Sequence, residues 1–70
     1  MTKSQAKVLK FIKDYIDLNG YSPSYIEIAE GCNYASAGNA FDICTKLVQQ
    51  KKLVKVGDYR GHRQLEVVDG

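Results

Sequence analysis

Seventy residues with a net charge of +2, of which 44% are hydrophobic and 26% charged, describe a single globular domain, not a disordered chain. A chain this short buries only about 60% of its unfolded surface. That leaves little room for a substrate pocket beside a core, so no enzyme, cofactor or small-molecule substrate is expected. No stretch approaches the roughly 18 apolar residues of a membrane span, and the N-terminal residues alternate Lys with apolar groups, so neither a membrane partner nor a signal peptide is expected. One His and two Cys do not supply a four-ligand metal site. Cys32 and Cys44 are read as small buried apolar groups in a reduced, cytoplasmic protein.

Thr2 and Gln5 have capping-box spacing, with Ser4 as a rival cap. Val8, Phe11, Ile12, Tyr15 and Ile16 then recur at helical intervals, with Lys3, Lys7, Lys10, Asp14 and Asp17 opposite. Tyr15 is read as core. The pairs Lys10–Asp14 and Lys13–Asp17 are worth a few tenths of a kcal/mol each and weaken any free cationic patch on this face. Asn19-Gly20 ends the helix. Pro23 holds Ser22 extended, and Ser24 with Glu27 forms a second capping box opening a short helix through about Glu30. Gly31-Cys32-Asn33 is a turn, since Asn33 tolerates positive φ.

Ser36 is positioned to cap a third helix. Its apolar stripe is Ala37, Ala40, Phe41, Cys44, Leu47 and Val48, and its opposite face carries Asn39, Asp42, Ile43, Lys46 and Gln50. Gly38 costs about 1 kcal/mol of helix propensity against Ala; in the first turn it would admit close approach of a backbone. Lys51 and Lys52 sit at the negative end of the helix dipole. Leu53–Val56 reads as a strand, Gly57–Gly61 as a turn, and Arg63–Val68 as the return strand. The fold class is therefore α+β: three helices followed by a two-stranded antiparallel β-hairpin, a winged helix-turn-helix.

In their order and spacing, Ser4-Gln5, Gly20-Tyr21-Ser22-Pro23-Ser24, Glu27-Ile28-Ala29-Glu30, Asn39-Ala40, the spacing to Lys51, and Arg60-Gly61 resemble the N-terminal DNA-binding domain of LexA-type repressors. The resemblance runs over nearly all of the chain. It implies sequence-specific binding of double-stranded DNA by a transcriptional repressor, with the third helix in the major groove and the wing on the phosphate backbone. On that footing Ser36, Asn39, Ala40, Asp42 and Ile43 occupy or adjoin reading positions, and Arg60 and Gly61 the wing tip. The turn into the third helix reads as one residue longer than the family's, and Gly38 stands about where the family has a proline. The family's C-terminal protease and dimerisation part lies outside these residues, so neither autoproteolysis nor dimerisation by that route is expected of them.

The chemistry fits these positions. An Asn amide pairs with an adenine edge, Ala or Ile meets a thymine methyl, and Asp accepts from a cytosine amino group. Lys46, Arg60 and Arg63 suit salt-sensitive phosphate contacts, and the Tyr25 hydroxyl could reach a phosphate. Each residue also has a plainer reading. Asn39 could be a solvated first-turn residue, Ile43 a protein anchor or a residue covered by the wing, and Arg60 and Arg63 solvated charge. Tyr34 more often packs at such a turn than binds, and Tyr59 could lie in a groove or meet a protein. Between Tyr21 and Cys44 there is no Lys or Arg. That gap favours the alternative, a small winged-helix protein-interaction module, since the fold by itself hosts many functions. A homodimer or a protein partner is the further expectation.

Overall fold

The computed structural model describes residues 2–59 and 62–68, with 56–59 and 62–64 described by their backbone alone. The elements run α1 (Lys3–Asn19), α2 (Tyr25–Gly31), α3 (Ala37–Gln49), β1 (Leu53–Tyr59) and β2 (His62–Val67). Both expected capping boxes form. The Thr2 hydroxyl accepts from the Gln5 amide at 3.1 Å while Gln5 Oε1 accepts from the Thr2 amide at 3.2 Å. Ser24 and Glu27 repeat the arrangement at the start of α2. Gly20, at φ +81°, closes α1 and donates to the Ile16 carbonyl at 2.7 Å.

The ends of α2 and α3 share one solution. After α2, Asn33 is left-handed (φ 65°), and the Tyr34 amide reaches back to the Ala29 carbonyl at 2.7 Å. After α3, Lys51 is left-handed (φ 61°), and the Lys52 amide reaches the Leu47 carbonyl at 2.9 Å. Both are Schellman turns, which satisfy carbonyls the helix leaves open. Asn33 was legible as such a residue. Lys51 was not, because a lysine carries no side-chain signal for that conformation.

The core joins Val8 and Ile12 of α1, Ile28 and Ala29 of α2 with Cys32 just beyond, Ala40, Cys44 and Leu47 of α3, Leu53 of β1 and Leu65 of β2. Both thiols are free and buried. Tyr15, read as core, is only half-buried; its hydroxyl donates to Glu27 Oε2 at 2.6 Å, tying α1 to the start of α2. The hydrogen bond to the Glu27 carboxylate holds the Tyr15 phenol well above its ordinary pKa, because ionising it would place two negative charges together.

The wing is longer than the sequence suggested. β1 and β2 pair antiparallel from Leu53↔Val67 to Tyr59↔His62, with an irregularity between Lys55 and Gly57. A bulge absorbs Val56 and lets the strand continue, so Gly57, Asp58 and Tyr59 belong to the ladder and not to a turn. The buried amide of Leu65 donates to Ser22 Oγ at 3.1 Å, which fastens β2 to the segment between α1 and α2.

Candidate nucleic-acid interface

The placement of α3 sets the geometry of the site. Gln50 Nε2 donates to Gln5 Oε1 at 3.1 Å, tying the far end of α3 to the start of α1. At the other flank, the Phe41 ring meets the Tyr25 ring edge-on, with centroids 5.2 Å apart and planes at 80°. Behind the turn between α2 and α3, Lys7 Nζ donates to the Cys32 carbonyl at 2.9 Å and lies 5.9 Å from the Tyr34 ring centroid. A cation at the C-terminal end of α2 is favourable by the helix dipole. Lys7 is therefore engaged within the molecule, although like Lys3, Lys10 and Lys13 it is exposed on α1.

With Ala40, Cys44 and Leu47 buried, the outer side of α3 is fixed. At about 100° per residue, Phe41, Asp42, Lys46 and Asn39 follow one another round that side, and all four are exposed. Ser36 is the extended N-cap of α3, but its hydroxyl makes no capping bond. It is exposed at the same end of the helix as Asn39.

Three expected contact residues are corrected by packing. Ala40 is fully buried, so its methyl belongs to the core and cannot meet a base edge. Ile43, expected to be exposed, is half-buried against that core. Tyr25 turns its ring onto Phe41, and its hydroxyl oxygen is buried, so it is not presented to a phosphate. Arg60 and Gly61 lie outside the described residues. Arg63 is described by its backbone, which pairs with Asp58 in the ladder.

Two residues that the sequence does not single out lie beside this surface. Phe41 falls by its spacing in the buried stripe but is 39% exposed, and Lys55 holds its ammonium 5.5 Å from the Phe41 ring centroid. The available signal is the position of Phe41 at the margin of the stripe, where Thr45 follows it round the helix. Lys55 is the one charged residue in the otherwise apolar run Leu53–Val56.

Three helices, with α2 turned tightly into α3, and a trailing antiparallel hairpin define a winged helix-turn-helix protein. Residues 1–56 match the family model for the LexA DNA binding domain, and the chain belongs to that family. It is similar to the LexA repressor of Finegoldia magna, at 36% identity over 69 residues, covering 99% of this chain and 32% of the relative. The LexA repressor of Syntrophobacter fumaroxidans is 40% identical over 50 residues, covering 71% of this chain and 24% of that protein. A shorter match, 60% identical over 30 residues, is to the LexA repressor of Thermosipho melanesiensis, covering 43% of this chain and 15% of that relative. The chain thus spans at most about a third of the length of these curated relatives.

Proposed function

We propose that this chain binds double-stranded DNA as part of a transcriptional repressor, with α3 in the major groove and the wing on the phosphate backbone. The observation that carries this reading is the exposed polar arc of Asn39, Asp42 and Lys46 on α3, in a member of the LexA DNA-binding family. Asn39 is suited to an adenine edge and Asp42 to a cytosine amino group. Ser36, at the head of the helix, suits a phosphate or base contact. Lys46 with Arg60 and Arg63 supplies the salt-sensitive grip. Two copies on a two-half-site operator would offset the small surface of one.

Selection of bound sequences from random duplex DNA, followed by salt titration, tests the reading. An enriched site and an affinity that falls steeply with salt are expected. Asn39→Ala should relax preference at one position, whereas Arg60→Glu should weaken all sequences alike. No binding to any duplex at low salt would overturn it. A second reading, docking onto another protein, draws on the absence of Lys and Arg between Tyr21 and Cys44 and on Ile26, which is 62% exposed. A stoichiometric, salt-insensitive protein complex without duplex enrichment would favour that reading.

A further inference from the structure

We infer that Phe41 is a specificity-determining residue whose ring meets the 5-methyl group of a thymine, with Lys55 beside it on the adjoining phosphate. This rests on the DNA-binding reading above.

Among the described side chains on the outer arc of α3, Phe41 is the large apolar one. It is 39% exposed and stands at one margin of that arc, about 100° round the helix from Asp42. Its surroundings are built rather than incidental. One edge is held by Tyr25, with centroids 5.2 Å apart, and the Lys55 ammonium stands 5.5 Å from the ring centroid. The contact with Tyr25 restricts where the ring can go, so a ligand meets a pre-positioned surface and less ordering is left to occur on binding. A cation–π contact leaves the lysine fully charged. The pair therefore presents an apolar surface and a positive charge within one ring's width. A thymine 5-methyl in the major groove and a neighbouring phosphate offer the same combination in complement, and apolar contact with that methyl is a recognised mode of base readout. Asn39 stands at the opposite margin of the arc. The helix would then read hydrogen bonds at one margin and a methyl group at the other.

The test uses the site selected by the wild-type chain. Each thymine is replaced in turn by deoxyuridine, which removes only the methyl. At one position the wild type should lose about fourfold in affinity, the value of one buried methyl group. Phe41→Ala should bind more weakly and show no loss at that position, whereas Phe41→Leu, which remains apolar, should retain part of it. Lys55→Gln should weaken all sequences alike and lower the slope of log K against log salt by about one. Thermal melts report folding of each variant, which the exposure of Phe41 favours. Equal deoxyuridine losses in the wild type and Phe41→Ala would overturn the assignment and leave DNA binding intact. No enriched sequence with the wild type would overturn base reading by α3, and this assignment with it, whereas no binding to any duplex at low salt would overturn the DNA-binding reading itself.

Discussion

Alanine at Gly31 and alanine at Gly38 should move stability in opposite directions, although both glycines are helical and exposed. A Cβ on Gly31 would collide with Cε2 and Cζ of Phe11, whereas a Cβ on Gly38 finds only Ser36 Oγ, at 3.6 Å. In an unobstructed helix, Gly→Ala gains up to about 1 kcal/mol. Gly38→Ala should realise much of that gain. At Gly31 the same gain is set against overpacking of about 1–3 kcal/mol, because Phe11 is half-buried against the core and its ring lies beside that of Tyr15, with centroids 6.0 Å apart. The ring can yield somewhat, so a net loss of about 1 kcal/mol is expected. For a protein of this length each kcal/mol moves Tm by about 4–8 °C. Thermal denaturation followed by circular dichroism should therefore separate the two variants by roughly 8–16 °C. Phe11→Leu should relieve Gly31→Ala, with positive coupling in a double-mutant cycle. If Gly31→Ala melts as high as Gly38→Ala, the packing of α2 on Phe11 is not as described.

Three further outcomes follow from the contacts. Lys7→Met removes the donor to the Cys32 carbonyl; it should cost about 1 kcal/mol, since the bond is charged but partly solvated. The DNA salt slope should stay unchanged, and a slope reduced by about one would instead make Lys7 a phosphate contact. Ser22→Ala strands the buried Leu65 amide, so a loss of about 1–3 kcal/mol is expected, with faster hydrogen exchange at Leu65; unchanged exchange there would contradict the anchoring of β2. Burial, with the neighbouring Cys32 thiol adding and Lys55 opposing, pushes the Cys44 thiol from 9.0 up to about 12. Burial favours the neutral thiol in the folded state, so this contribution is fully present below pH 9 and declines as pH rises from 9 towards about 12. Urea melts across that range should show less alkaline loss in Cys44→Val, and equal loss in both proteins would refute the assignment.

How far each feature could be read depends on how far apart in sequence its partners lie. Thr2 with Gln5 and Ser24 with Glu27 are three residues apart, and Asn33 and Gly20 act through their own backbone preferences. These signals are local, so they fixed where α1 and α2 begin and where both helices end. The apolar spacing likewise placed Val8, Ile12, Cys44 and Leu47 inward, because a helix repeats its faces regardless of what it packs against. The resemblance that pointed to the family was carried by short segments of the same kind.

The make-up of the candidate interface lay beyond such signals. Lys7 meets Cys32 across 25 positions, Leu65 meets Ser22 across 43, and Gln50 meets Gln5 across 45. Periodicity gives an apolar stripe its width but not the line along which neighbours cover it. The packing of α1 and α2 on α3 took Ala40 and most of Ile43 out of reach and left Phe41 at the surface beside Lys55. The sequence alone therefore determined the three helices, the trailing hairpin and the polar character of the outer side of α3. Only the tertiary structure decided which side chains that outer side presents, because burial depends on every element packed around a residue and not on its neighbours in the chain.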